Sequence, residues 1–305
     1  MEWGIHLPHI GRQASREAVL RMARSADELG MHSAWVSDHI AWPAHIESHY
    51  PYTEDGHFPG GTDMPWLDPV GTLFFVGAVT ERLKLGATVL ILGYRPPMLT
   101  AKAFASLDVM TGGRALLGVG VGWMREEFEV LGMPWDHRGA RADEQLELFQ
   151  AMFSREMPSY EGRYYQVPEV GFSPRPEAGR LPVWVGGDTE PAFRRTVRFG
   201  DAFHAAFQKR SEVADAWRRI GELCDEAGRD RSEVTLSIRL YLDDTGTMEA
   251  DKSIAGSAEE MADAAGRWGE IGVSHILLDP VARGGFEGRL AAVERFMTDV
   301  APRVG

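Results

Sequence analysis

The residues best suited to chemistry fall at the ends of short apolar runs. Ser37-Asp38-His39 follows one such run, and it sets a carboxylate beside an imidazole. At a strand end that pair can bind a polar ring edge and move a proton, because an imidazole ordinarily titrates near pH ~6.5. The same dipeptide also occurs as a turn-capping Asp next to a solvated His. Thr88 is the one hydroxyl in the long apolar run Leu83–Leu92. Gly118-Val119-Gly120-Val121-Gly122-Trp123 places glycines at alternate positions, where a flat ring or another backbone strand can approach closely. Its spacing is not G-x-G-x-x-G and no Walker lysine follows, so a dinucleotide loop is disfavoured. Glu126 and Glu127 come next, in the first turn of a helical pattern, where the helix dipole alone favours acids. Gly186-Gly187-Asp188 stands between an apolar run and a helix start marked by Pro191. Convergent backbone N–H groups there suit a phosphate, while Asp188 or Thr189 also serves as an N-cap.

The elements that must carry these residues alternate strictly. Apolar runs at Trp3–Leu7, Ala34–Ser37, Leu83–Leu90, Ala115–Val119, Val183–Gly186, Ala202–Ala205, Val234–Tyr241 and Ser274–Leu278 read as strands. Helical spacing follows each: Arg16–Leu29, Pro69–Thr80, Met98–Met110, Asp143–Phe153, Pro191–Phe199, Glu212–Ala227, Ala258–Ile271 and Phe286–Val300. Eight units in this order imply a parallel sheet, and a chain of this length favours its closure into a (β/α)8 TIM barrel over an open doubly wound sheet. No linker or composition break divides residues 1–305, so one domain is expected. Two stretches exceed the usual ~2–6-residue loop. Residues 40–67, after strand 2, should overhang the catalytic face. Residues 154–181, before strand 5, should pack structurally, with only their length suggesting a lid.

With 44% hydrophobic and 25% charged residues the chain can build a large core. A net charge of -13 argues against nucleic acid or an anionic membrane as the main partner, and it leaves room for a small-molecule substrate, even an anionic one held by a local cluster of donors. The single cysteine, Cys224, excludes an intrachain disulfide and a cysteine zinc site, and its helical setting suggests a packed thiol. His45, His49 and His57 lack metal-ligand spacing, and no G-x-S-x-G motif is present. The first strand starts at Trp3 with no leader-like segment before it. No apolar run approaches the ~18 residues of a membrane span, so a cytoplasmic location is expected.

Taken together, the segments Trp3–His39, Asp68–Pro97, Gly112–Gly139 and Leu181–His204 resemble the luciferase-like monooxygenase superfamily. They are most similar to its actinobacterial branch that depends on the deazaflavin coenzyme F420. Leu181-Pro182-Val183-Trp184-Val185-Gly186-Gly187, followed by Arg194-Arg195 and Gly200-Asp201, carries much of the likeness. The resemblance implies that Asp38 and His39 contact the deazaflavin ring, with His39 as proton donor or organiser of the hydride site. It implies that Thr88-Val89 is a cis peptide supporting the ring, and that Gly186, Gly187 and Asp188 cradle phosphate. Gly120, Gly122, Trp123 and Glu126 complete the expected cofactor site, and a homodimer is the expected assembly. Sugar-phosphate dehydrogenases of the superfamily carry a catalytic Glu where this chain has Trp123, which argues against a sugar phosphate here. Gly-Trp at that point also occurs in relatives that use FMN and oxygen, so an FMN-dependent monooxygenase is the alternative. A non-catalytic flavin-binding protein is the third reading, disfavoured because storage needs no acid–base pair. Deazaflavin favours two-electron hydride transfer, so the cofactor decides the reaction class. The first insertion supplies Trp42, His45, His49, Tyr50, Tyr52 and Trp66 as expected pocket walls with polar tips.

Overall fold

The computed structural model describes residues 1–53 and 55–304. Eight parallel strands close on themselves: β1 (Glu2–His6), β2 (Ser33–Val36), β3 (Lys84–Ala87), β5 (Ala115–Gly120), β8 (Val183–Gly186), β9 (Ala202–Ala206), β10 (Thr235–Asp243) and β12 (Val273–Val281). β12 returns to pair with β1, Ile5 opposite Leu278, which closes the barrel. The open-sheet alternative is thereby excluded. Two short strands extend the scheme, β4 (Leu90–Ile91) on β5 and β11 (Ser253–Ala255) on β10.

The helices lie outside the barrel and are specified locally. Ser15 Oγ accepts from the Ala18 N–H to start α1 (Arg16–Glu28). Asp68 accepts from the Gly71 N–H, and Pro69 opens α2 (Pro69–Gly77). α3 (Pro97–Thr111) ends on Gly112 in the left-handed region, where glycine avoids a Cβ penalty. α6 (Glu190–Phe199), α7 (Arg210–Ala227), α8 (Ala258–Gly269) and α9 (Gly285–Arg295) complete the outer ring. Cys224 is fully buried in α7.

Several boundaries differ from the sequence reading. The long strand expected at Leu83–Leu90 stops at Ala87 and resumes at Leu90; the Thr88–Val89 peptide between is cis. A short helix α4 (Arg125–Val130) precedes α5 (Arg138–Ser154), which begins five residues before the expected Asp143. The 154–181 stretch forms a small antiparallel hairpin, β6 (Tyr160–Glu161) and β7 (Gln166–Val167). It is pinned to α5 where the Glu144 carboxylate accepts from the Tyr164 and Tyr165 N–H groups. The stretch therefore packs against a helix.

Inside the barrel, bulky rings face small residues. Trp35 stacks on His204 with 5.3 Å between ring centroids and tilts against Trp184 at 4.9 Å. A Cβ on Gly86 would lie 2.5 Å from the Trp35 ring, and one on Gly118 would lie 1.9 Å from the Ala87 carbonyl oxygen. Those glycines are required by space inside the barrel. Gly118→Ala should therefore destabilise by about 3 kcal/mol, since overpacked cores lose that order of stability. Gly266→Ala, on the open side of α8 with nothing near its Cβ, should stabilise by about 1 kcal/mol. Urea unfolding of both variants checks the contrast, and equal effects would contradict it.

Candidate active site

The C-terminal ends of the barrel strands surround a cavity of about 370 Å³, within the range of small-molecule sites. Its wall includes Asp38, His39, Thr88, Val89, Gly120, Gly122, Trp123, Gly186, Gly187 and Asp188. Ten of the eleven expected site residues thus meet at one place. Glu126 does not line the cavity. Its carboxylate accepts from the Glu47 and Ser48 N–H groups at 2.9 and 3.1 Å, which fastens the 40–67 insertion to α4.

Its neighbour Glu127 occupies the more consequential position. It is fully buried. Oε2 lies 2.5 Å from His39 Nδ1 and accepts the Tyr94 hydroxyl at 2.7 Å. Oε1 accepts the Ile40 and Ala41 N–H groups at 2.6 and 3.1 Å. Burial alone would raise this carboxyl, but the His39, Ile40 and Tyr94 donors hold it below its ordinary value. An ionised Glu127 fixes the Nδ1–H tautomer of His39 and leaves Nε2 as the free ring nitrogen in the cavity wall. Trp42, stacked at 4.7 Å, and Trp66, edge-on at 4.8 Å, clamp the ring.

Asp38 is arranged differently. Arg95 grips both of its oxygens, at 2.6 and 2.9 Å, and the Ile91 N–H adds a third bond at 3.0 Å. Burial pushes the Asp38 carboxyl up against this pull, while the pair keeps the Arg95 guanidinium firmly protonated. Asp38 thereby ties the end of β2 to β4 and holds the neighbouring His39 in place.

The alternate glycines have local reasons. A Cβ on Gly120 would lie 2.4 Å from Val89 Cγ2, and one on Gly186 would lie 2.6 Å from Val89 Cγ1. Val89 is thus wedged between β5 and β8 and forms part of the cavity floor. Gly187 has φ +122°, and a Cβ there would meet that of Ala192 at 3.0 Å. Thr189 precedes α6 but makes no side-chain capping bond. Pro191 has no N–H and the Ala192 N–H returns to the Thr189 carbonyl, so of the first helical turn the Glu190 N–H is the one left for an anion.

A second polar pole was missed by sequence reasoning. Arg239 donates to Asp279 at 2.5 Å and to Ser37 Oγ at 3.1 Å, and both Arg239 and Asp279 line the cavity. Although burial raises Asp279, Arg239 and His6 beside it hold its carboxyl far below the ordinary range. Period-two spacing could have found this pole. Ser237, Arg239 and Tyr241 share one face of β10, as His275, Leu277 and Asp279 share one face of β12. The insertion covers the cavity with Tyr50, Tyr52, Phe58 and Trp66. The expected wall residues Trp42, His45 and His49 stand outside it: Trp42 backs His39, and the His49 ring packs over Gly56. Among the described residues no cluster of His, Cys, Asp and Glu could hold a metal ion. No described helix is long and apolar enough to cross a membrane.

Comparison with known proteins agrees with this geometry. The family model for luciferase-like monooxygenase matches residues 4–298. The chain is 31% identical over 216 residues to an F420-dependent glucose-6-phosphate dehydrogenase of Microbacterium testaceum, covering 68% of this chain and 59% of that protein. Its fold superposes with TM-score 0.81 and 18% identity on an F420-dependent secondary alcohol dehydrogenase in complex with an F420-acetone adduct, covering 100% and 99% of the two chains. It superposes with TM-score 0.75 and 17% identity on the FMN-bound oxygenating constituent of 3,6-diketocamphane monooxygenase of Pseudomonas putida, again over 100% and 99%.

The Glu127 network makes a pH-dependent prediction. Its lowered carboxyl contributes stability that is present above the unfolded value near 4.5 and is lost as pH falls through the folded value. Glu127→Gln removes the charge on which the four hydrogen bonds converge and weakens all of them, so it should lose about 3 kcal/mol at pH 7. The gap to wild type should shrink as pH falls below the unfolded value near 4.5 and on through the folded one. Urea titrations across pH check this, and a gap independent of pH would contradict it.

Proposed function

Because the chain belongs to the luciferase-like monooxygenase family, we propose that it is a coenzyme F420-dependent oxidoreductase acting on a small organic substrate, as a cytoplasmic homodimer. One observation carries the reading. A cavity-facing imidazole, clamped through Nδ1 by a buried carboxylate, shares its cavity with the Val89 floor and the uncapped N-terminus of α6. The residues present suit such a coenzyme. Val89, Gly120 and Trp123 offer apolar surface to a flat ring, and the N–H groups from Gly187 to Glu190 suit its phosphate. When bound, the deazaflavin supplies the hydride acceptor or donor.

The chain's own groups supply the rest. Asp38 and Arg95 lock the end of β2. Glu127 holds His39 in the tautomer whose Nε2 accepts a proton from an alcohol as it is oxidised. In the reverse direction the same nitrogen, once protonated, returns the proton to the reduced product, with Glu127 balancing the imidazolium charge. The aromatic insertion keeps water from the reacting atoms. Identity to the F420-dependent dehydrogenase of Microbacterium testaceum favours deazaflavin. The FMN-bound neighbour makes FMN monooxygenation the second reading, though that likeness is one of fold alone.

Fluorescence titration of the purified protein tests the assignment. F420 should bind at least about tenfold more tightly than FMN, a gap of about 1.4 kcal/mol. His39→Asn should change F420 affinity little but slow hydride transfer by about 100-fold. Equal or reversed affinities would transfer the assignment to FMN.

A further inference from the structure

A continuous chain of hydrogen bonds runs through the barrel interior from Trp35 to the cavity. Trp35 Nε1 donates to Ser33 Oγ at 2.8 Å, and Ser33 Oγ lies 2.9 Å from His275 Nε2. His275 Nδ1 lies 2.8 Å from Ser237 Oγ, and Ser237 Oγ lies 2.8 Å from His204 Nδ1. His204 Nε2 finally reaches Thr88 Oγ1 at 2.9 Å, and Thr88 lines the cavity. Ser33, Ser237 and His275 are fully buried, so no solvent repairs a mispaired group. Burial holds the His204 ring at about 3 and His275 well below its ordinary value. Both rings are therefore neutral at pH 7, each with one donor nitrogen and one acceptor nitrogen.

Those facts fix the direction of every bond. An indole N–H only donates, so Ser33 Oγ accepts from Trp35. Among the described residues the Ser33 proton has one acceptor within reach, His275 Nε2. His275 is then protonated at Nδ1 and donates to Ser237. The Ser237 proton goes to its other neighbour, His204 Nδ1, so His204 carries its proton on Nε2 and donates to Thr88. The opposite direction would orphan the Ser33 hydroxyl in a sealed site, which buried polar groups avoid. Thr88 Oγ1 thus already accepts, and its proton has no acceptor among the described residues.

We propose that Thr88 is a specificity-determining hydrogen-bond donor of the cavity, its polarity set by the buried Trp35–Ser33 end of this chain. The ligand group seated against it must be an acceptor, such as a carbonyl oxygen or an sp² ring nitrogen, and a group that can only donate, such as an ammonium or an amide N–H, is disfavoured there. The polarity stands on this structure alone. Identifying the ligand as the coenzyme or its substrate rests on the function proposed above.

Imidazole ¹⁵N–¹H correlation spectra of the full-length protein, labelled with [¹⁵N]histidine, test the polarity at pH 7.5. His275 should be a single Nδ1–H tautomer and His204 a single Nε2–H tautomer. Thr88→Val should leave both unchanged, because the direction is set at the other end. Ser33→Ala, a small substitution far from the cavity, should let both rings sample the second tautomer. Reversed tautomers in the wild type, or wild-type tautomers in Ser33→Ala, would overturn the assignment. F420 titration reads the ligand side: Thr88→Val should bind about tenfold more weakly, with Thr88→Ser near wild type. Undiminished binding by Thr88→Val would overturn the donor role. Wild-type protein that binds neither F420 nor FMN would overturn the proposed function, and the tautomers would still decide the polarity.

Discussion

The site depends on one buried carboxylate. Glu127 collects four donors from two parts of the chain: the His39 ring with the Ile40 and Ala41 N–H groups beside it, and the Tyr94 hydroxyl. Four partners are what make an ionised carboxylate tolerable in a sealed position. They also bring the end of β2, the root of the 40–67 insertion and the segment after β4 to a common point. Removing that charge would unfasten the catalytic candidate and the cover of the cavity together. Asp38, the residue before His39, forms the companion fastening with Arg95, and Glu126 ties the insertion further out. Asp38, Glu126 and Glu127 thus have three separate mechanical roles.

Beneath the site, the barrel interior is arranged around ring volume. Trp35 fills the space left by Gly86 and Gly118, and Trp184, His204 and His275 gather around it. Small residues opposite large ones let a barrel of eight strands close without voids. Val89 repeats the device at the catalytic end, wedged between Gly120 and Gly186. A glycine pattern that resembles a nucleotide loop in one dimension is therefore largely a record of side-chain packing in three. The cavity floor is rigid for the same reason, which suits a site that must hold a planar group and its reaction partner in register.

Much of this was legible in the sequence. Strict alternation of apolar runs with helical spacing named the eight strands, and the strand-end positions of His39, Thr88, Gly120 and Gly186 placed them on one rim. What failed was anything decided by direction within an element. Glu126 and Glu127 look alike as letters, and only the entry angle of α4 decides which turns inward. Arg239 and Asp279 sit in apolar strands whose long runs hid their period-two spacing. Trp42 was expected in the wall and instead stacks behind His39. The 154–181 stretch gave no sign of its hairpin because two-residue strands carry no periodicity. Such choices follow from tertiary packing and not from local propensity.

Under the proposed function, Glu127 aims His39 at a coenzyme ring lying over Val89, with the phosphate held at the N-terminus of α6. A crystal structure of the protein with oxidised F420 tests it most directly. The deazaflavin ring should lie in the cavity between Val89 and His39, with the His39–Glu127 bond intact and phosphate oxygens bonded to N–H groups from Gly187 to Glu190. A ring bound elsewhere, or His39 released from Glu127 and turned out of the cavity, would contradict it.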